Sequence, residues 1–317
     1  MKKIVVLKGG MSPERDVSLV SGSEIAQCLR EMDYKVFELD PAEFKNWSGL
    51  LVEIQNVSPD LVFNGLHGGS GENGELQAAL HLAGIPFTGS DYKSCCLSMD
   101  KYVSKLIAMA EGIPVPRYIL LRANLLEDYQ DPADLENFSA TLGLPIIVKP
   151  NDAGSSVGIS KVDTLEELKP AVEHALQFSK AVLLEEYIPG RELTATVLDG
   201  EALPLVEIKP LNGWYDYKNK YTKGNTEYIA PARLDESVAR LIQLYAIRLW
   251  KACELSGYAR IDFRYDDVKP YFLEVNTLPG MTPLSLTPMA AKARGQSFEQ
   301  LIKQLVEISL QSAGRRT

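Results

Sequence analysis

The sequence predicts a mixed α/β protein of two or three domains, on three observations. Over residues 1–98 short apolar runs alternate with amphipathic stretches, the pattern of parallel strands joined by helices. Over residues 260–280, RIDFRYDDVKPYFLEVNTLPG, two alternating apolar and polar runs flank a polar turn, the pattern of an antiparallel hairpin. The 317 residues are 45% hydrophobic, enough for sizeable cores in more than one unit.

The first unit opens with residues 4–7, Ile-Val-Val-Leu, a buried-strand run closed by Gly9 and Gly10. Residues 17–32 predict a helix with Val17, Val20, Ile25 and Leu29 on its apolar side. Residues 36–39 and 61–63 add short strands, and residues 76–83 a helix ended by Gly84. Parallel pairing puts functional loops at the carboxyl ends of strands. Two loops stand there: residues 9–15, GGMSPER, and the glycine-dense residues 64–74, which contain His67. Neither is a G-x-G-x-x-G or a P-loop pattern, so dinucleotide and Walker chemistry have no support. Glycine density is also ordinary turn composition, but a place between strand and helix favours a ligand loop. His67 reads as a structural histidine or a site residue, and Glu14, between Pro13 and Arg15, as half of a surface ion pair.

A second unit starts near Ser98, which can cap a helix carrying Val103, Leu106, Ile107 and Ala110 before Gly112, Pro114 and Pro116 stop it. Lys101 falls in its first turn, where a cation opposes the helix dipole and hints at an anionic partner. Residues 144–150 form a short buried strand with Lys149 at its exit, and the small-residue run 151–158 leads to a strand over 159–162. Backbone N–H groups and hydroxyls of such a run can close over phosphate oxygens. A plain hairpin turn has the same composition; Lys149 tilts the reading toward nucleotide by adding a point charge. Residues 164–167 resemble a capping box, although Pro170 obscures where its helix begins. Residues 182–188, VLLEEYI, are a strand that turns polar as it leaves the core, either a nucleotide edge or an interdomain edge.

The last unit carries strands at 193–198 and 203–208, then a long polar and aromatic run over 212–226. Its aromatics and lysines favour a lid over a disordered segment. A helix over 237–254, with Val238, Leu241, Ile242, Tyr245, Leu249 and Cys253 inward, leads into the hairpin. There Asp262, Glu274 and Asn276 carry hard oxygen donors. Alternation puts Glu274 and Asn276 on one face, and pairing can bring Asp262 beside them. Two carboxylates that close repel unless a cation lies between them, and Mg²⁺ takes oxygen ligands while keeping room for phosphates. A solvated hairpin face is the plainer alternative; Arg260 on the same face and the abrupt Asn-Thr-Leu-Pro-Gly ending favour metal. A final amphipathic helix from Ser297 buries Leu301, Leu305 and Ile308.

Composition excludes other classes. Thirty-three Lys and Arg against 42 Asp and Glu give a net charge of −9, and no basic run exceeds a pair. That argues against a nucleic-acid or anionic-membrane surface. Cys28, Cys95, Cys96 and Cys253 fit neither a zinc spacing nor a disulfide framework and read as reduced thiols. The N-terminal apolar run is too short for a signal peptide and no later run approaches a membrane span, so a cytoplasmic protein is expected.

Lys149 after a strand, the GSSVG run 154–158, Glu185-Glu186-Tyr187-Ile188, Arg260-Ile261-Asp262 and Glu274-Val275-Asn276 occur in the order seen in ATP-grasp ligases. With GG…PERDVS over residues 9–18, His67-Gly68 and NTLPGMT over 276–282, the chain closely resembles the D-alanine–D-alanine ligase family over nearly its full length. Any one motif is weak, whereas the ordered set is specific. The chain departs from the family at Asn73, where aspartate is commoner, and in the Asn151-Asp152-Ala153 run.

The resemblance implies a three-domain ATP-grasp fold. Its parts are an N-terminal parallel-sheet substrate domain (1–98), a central ATP-grasp subdomain (99–187) and a C-terminal one (188–317) with the metal site and lid. It implies that Lys101, Lys149, Glu185, Glu186, Ile188 and Glu192 contact ATP, with Ser155 and Ser156 in the phosphate loop and Lys220 reaching the γ-phosphate. Asp262, Glu274 and Asn276 would bind two Mg²⁺ or Mn²⁺. Glu14 would hold the ammonium of the first D-alanine, with His67 nearby and Ser155 and Tyr221 hydrogen-bonding toward Glu14. Arg260 and the Gly280 N–H would form the oxyanion hole, and Ser285 and the Leu286 backbone would receive the second carboxylate. The implied activity is ADP-forming ligation of two D-alanines through an acyl phosphate, for peptidoglycan precursors, by a homodimer. D-lactate or D-serine as acceptor is the alternative, and Tyr221 favours an amine by the same resemblance. A non-catalytic ATP-binding module is disfavoured, since a pure binder needs no oxyanion donor such as Arg260.

Overall fold

The structure is a computed structural model that describes residues 1–123, 132–154, 157–211 and 224–313. Ser155, Ser156, Lys220 and Tyr221, with most of the expected lid, lie outside the described residues.

β1 (Lys3–Leu7), α1 (Arg15–Glu31), β2 (Lys35–Leu39), α2 (Trp47–Val57), β3 (Leu61–Asn64) and α3 (Glu75–Leu82) build the first unit. Its strands pair in parallel in the order β2-β1-β3, with Val5 opposite Phe37 on one side and Val62 on the other. Ile4, Val5, Leu61, Val62 and Phe63 have no exposed surface, as expected of parallel strands covered on both faces.

The inward face of α1 holds the predicted Ile25 and Leu29 but not Val20. Ser18, Ser21, Gly22 and Ile25 are buried, whereas Val20 is 53% exposed. Close approach, not hydrophobicity, decides the first half of this face, around Ser18 and Gly22. A Cβ at Gly22 would stand 2.3 Å from the Lys8 side chain. Ser18 Oγ accepts from the Gly9 N–H and donates to the Gly65 carbonyl, both at 2.8 Å. An apolar residue there would strand two buried backbone groups.

α4 (Tyr92–Met99) and α5 (Lys101–Ala110) follow. Asp100, not Ser98, caps α5, its carboxylate accepting from the Val103 N–H at 2.9 Å. Serine and aspartate are near-equal caps, so composition alone did not separate them. β4 (Tyr118–Arg122), α6 (Pro132–Leu142), β5 (Ile146–Pro150), β6 (Ser160–Val162), α7 (Leu168–Ala175) and β7 (Ala181–Glu186) make an antiparallel sheet, ordered β4-β7-β5-β6, with its helices. Pro170 lies in the first turn of α7, where its missing N–H removes no helical bond.

β8 (Arg191–Leu198), β9 (Glu201–Ala202), β10 (Val206–Pro210), β11 (Thr226–Ile229), α8 (Glu236–Ala252), β12 (Tyr258–Tyr265), β13 (Pro270–Asn276), α9 (Leu286–Ala293) and α10 (Phe298–Ala313) complete the chain. The second antiparallel sheet runs β11-β10-β8-β12-β13, with β9 beside β8. The predicted hairpin is β12–β13: Arg260 faces Asn276 and Asp262 faces Glu274, with a bulge between Asp262 and Phe263. On α8, Ile242, Ala246, Leu249 and Trp250 are the buried residues, while Leu241 is 36% exposed. α10 returns to the start of the chain. Leu301, Ile302, Leu305 and Val306 share one buried cluster with Ile4, Leu7 and Phe63. Each such side chain stabilises the union by about 1.5–3 kcal/mol.

Candidate active site

The two antiparallel sheets face each other across a cleft. Ile147 and Lys149 on β5 and Glu185 on β7 form one wall; Glu192 on β8, Asp262 on β12 and Glu274 on β13 form the other. Glu185 is 2% exposed, and its oxygens take the ammonium groups of Lys105 and Lys149, each at 2.9 Å. Burial pulls Lys105 down to about 8, opposed by the charge of Glu185. Burial also pushes the Glu185 carboxyl up, but the two lysines outweigh it and hold the group below its ordinary value.

Lys105 is absent from the sequence-based site, although it lies one helical turn beyond Lys101 on the same face of α5. Lys101 donates to the Ala153 carbonyl at 2.6 Å and stands 3.3 Å from Glu274. It therefore sits at the end of the cleft next to the small-residue run. Glu186 lines the cleft with its carboxylate on the Arg117 guanidinium at 2.6 Å, and Ile188 lines it beside Arg264.

The hairpin brings Arg260, Asp262, Glu274 and Asn276 to one sheet face, as the alternation predicted. Asp262 accepts from the Thr194 hydroxyl at 2.7 Å and from Arg260 Nε, Arg260 Nη2 and Asn276 Nδ2, each at 3.0 Å. Each of the two carboxylates has a cation of the chain itself as partner, Arg260 on Asp262 and Lys101 on Glu274. No three His, Cys, Asp or Glu side chains gather at metal-binding distance among the described residues. Two carboxylates and an amide nonetheless fit Mg²⁺, which completes its shell with water and phosphate oxygens.

A second cavity adjoins the cleft, bordered by Glu14, His67, Glu72, Arg260, Gly280 and Ser285. Glu14 precedes the first residue of α1, and Arg15 turns away from it to Asp40, with Nη2 2.6 Å from Oδ2. Arg15 therefore pairs with Asp40 rather than with Glu14. The same guanidinium holds the Gly10 carbonyl at 2.7 Å, which fixes the turn that carries Glu14. Gly68 has φ +64°, and a Cβ on it would stand 2.5 Å from Glu14 Oε2, so only glycine lets the loop meet that carboxylate.

His67 lies 3.1 Å by Nδ1 from the Leu278 carbonyl and 2.9 Å by Nε2 from Ser21 Oγ. Glu72, which no sequence motif marks, accepts from the N–H groups of Gly68 at 3.1 Å and Leu278 at 3.2 Å. Burial first, and the charge of Glu14 second, push its carboxyl up to about 7. Ser285 is the residue before α9, Leu286 its first residue, and Ser285 Oγ accepts from the Thr282 N–H at 3.1 Å. A Cβ at Gly280 would stand 2.9 Å from that hydroxyl oxygen.

Two antiparallel sheets gripping a cleft of lysines and carboxylates, with a parallel α/β unit at one end, define an ATP-grasp enzyme. The family model described as D-ala D-ala ligase C-terminus matches residues 107–307. A D-alanine–D-alanine ligase of Gloeobacter violaceus is 42% identical over 97% of this chain and 99% of its own. That of Aquifex aeolicus is 41% identical over 96% and 99%. Among solved structures, D-alanine–D-alanine ligase from Bacillus anthracis superposes with TM-score 0.87 at 33% identity, covering all of both chains. The same protein complexed with ATP gives 0.84 at 31%. VanG D-Ala:D-Ser ligase from Enterococcus faecalis gives 0.82 at 32%, covering 97% of this chain and 99% of its own. The chain belongs to the D-alanine–D-alanine ligase family.

Proposed function

We infer that the chain joins two D-alanine molecules into D-alanyl-D-alanine at the expense of ATP, through an acyl phosphate, as peptidoglycan precursor synthesis requires. One observation carries the reading: Arg260 borders both the cleft between the sheets and the Glu14–Ser285 cavity. A single guanidinium thus stands where a carboxylate held in the cavity must meet the terminal phosphate of a nucleotide held in the cleft.

The chain's own groups account for the steps. Glu14 holds the ammonium of the first D-alanine, with the His67 loop closing over it. That substrate's carboxylate oxygen attacks the γ-phosphorus, the bond to the bridging oxygen breaks, and ADP leaves. Lys101 and Lys149 offset charge on the phosphates, and Glu185, Glu186, Ile188 and Glu192 hold the nucleoside side. Ser155, Ser156 and Lys220 would complete the phosphate contacts, and Tyr221 with Ser155 would support Glu14. Asp262, Glu274 and Asn276 would hold two Mg²⁺ or Mn²⁺, which neutralise charge on the transferring phosphoryl group. The amine of the second D-alanine, its carboxylate received by Ser285 and the Leu286 N–H, then attacks the acyl carbon. The C–O bond to phosphate breaks, the amine loses a proton, and Arg260 with the Gly280 N–H stabilises the oxyanion, a contribution of about 3–4 kcal/mol per donor.

D-serine as acceptor is the second reading, favoured by the likeness to the VanG D-Ala:D-Ser ligase. The relatives at 41–42% identity favour D-alanine. We read residues 1–98, 99–187 and 188–317 as the three domains of a cytoplasmic homodimer. No helix among the described residues is long and apolar enough to cross a membrane. ADP release with ATP and Mg²⁺ is the test, with D-alanine, L-alanine, D-serine and D-lactate compared. Turnover with D-alanine and not with L-alanine is expected; D-lactate turned over at neutral pH in preference to D-alanine overturns the assignment.

A further inference from the structure

Along β12, Arg260, Asp262 and Arg264 share a face. Arg260 borders the amino-acid cavity, and Arg264 lines the cleft but not that cavity. At about 3.3 Å rise per residue, Arg264 lies about 13 Å along the strand from Arg260. If the phosphates sit beside Arg260 and Asp262, the sugar and base extend to the level of Arg264.

Every described partner of Arg264 belongs to the connection between the two sheets or to the start of β8. Its Nε donates to the Ile188 carbonyl at 3.1 Å. Nη1 is 3.4 Å from Glu192 Oε2, the residue directly opposite across the β8–β12 pairing. Nη2 donates to the Tyr187 hydroxyl at 3.4 Å, and the guanidinium carbon is 5.6 Å from the centroid of that ring. Lys161, from the other sheet, stands 5.3 Å from the same centroid. The connection is also pressed against β12 by its backbone: a Cβ at Gly190, whose φ is +97°, would stand 2.2 Å from the Tyr265 carbonyl oxygen. One guanidinium thus holds a carbonyl, a phenol and a carboxylate that border the nucleoside end of the cleft.

We propose that Arg264 is a positioning residue for nucleoside selection, fixing Glu192 so that its carboxylate accepts from the ribose hydroxyls and fixing the Ile188 backbone against the base. This rests on the reading of the cleft as the ATP site. Arg264 does not touch the transferring phosphoryl group; it acts through Glu192 and the connection.

The test measures calorimetric binding of ATP and 2′-deoxy-ATP to wild type, Arg264→Met, Arg264→Lys and Glu192→Gln, alongside KM for D-alanine. Arg264→Met is expected to weaken ATP about tenfold, the size of one lost hydrogen bond to a charged group, and 2′-deoxy-ATP much less. Arg264→Lys, with the charge but not the fork, falls between, and Glu192→Gln shows the same narrowed preference. KM for D-alanine stays within about twofold, since no lost hydrogen bond reaches the amino-acid cavity. Equal weakening of both nucleotides, or a KM for D-alanine that rises with that for ATP, overturns the proposal in favour of a purely structural role. Because the readout is binding, it stands apart from ligation: wild type that binds ATP but forms no ADP with D-alanine refutes the proposed function and leaves this result intact.

Discussion

His67 and Leu278 lie 211 residues apart, and both backbone polar groups of Leu278 are held by one glycine-rich loop. The carbonyl meets His67 Nδ1 and the N–H donates to Glu72. A carbonyl only accepts, so Nδ1 carries the proton, and in the neutral ring Nε2 accepts from the Ser21 hydroxyl. His67 is therefore a strut that sets the segment from Leu278 to Gly280 against the amino-acid cavity.

His67→Leu should lower kcat/KM for D-alanine about 100-fold, the cost of a misplaced catalytic segment. His67→Gln should lose much less, because its amide nitrogen can still donate to Leu278. Steady-state kinetics with D-alanine varied decide it. A glutamine variant as damaged as the leucine one would point to proton transfer by the imidazole instead.

Glu72 makes stability depend on pH. Its folded pKa, about 7, exceeds the 4.5 of an ordinary glutamate. The folded carboxyl binds its proton more tightly, so its contribution is fully present below pH 4.5 and lost as pH rises through about 7. That difference amounts to about 3 kcal/mol. Urea unfolding from pH 4.5 to 8 should show wild type losing that much relative to Glu72→Gln. Parallel profiles for the two proteins would refute it.

The Lys105–Glu185–Lys149 group should respond unequally to mutation. Glu185→Leu leaves two buried ammonium groups facing each other and should cost about 3–5 kcal/mol. Lys105→Met leaves Glu185 its bond to Lys149 and should cost less. Denaturation midpoints give the order directly, and the reverse order would mean that Lys105 alone anchors the carboxylate.

Glu274→Gln should leave the thermal midpoint nearly unchanged, since the side chain is 30% exposed, while reducing turnover at least about 100-fold. Chelation of divalent ions should stop ADP formation in wild type. An unaltered kcat in the variant would remove Glu274 from the metal set.

Gly68→Ala should raise KM for D-alanine more than KM for ATP, because its Cβ would displace Glu14. Equal increases would place the damage in the loop as a whole.

Much of the architecture was legible along the chain. The buried runs at Ile4 and Leu61, the alternation about Asp262 and Glu274, and the lysine before the small-residue run are local patterns, and they appear where expected. The ordered motifs carried the family. Local pattern found Ile25 and Leu29 on the inward face of α1 but missed Ser18, which answers to the backbone of two loops, and Gly22, which gives room to the Lys8 side chain.

Hydrophobic period and turn chemistry act between neighbours, so strands, hairpin and motif order could be read in one dimension. The pairing of charges could not. Lys105 with Glu185, Glu72 with Leu278 and Arg264 with Ile188 are 80, 206 and 76 positions apart. Coulomb attraction and hydrogen bonding fall off over a few ångströms, so such partners meet only once the sheets have closed the distance. The same holds for α10, whose apolar face was plain from its periodicity but whose place beside α1 and β3 came from the folded core.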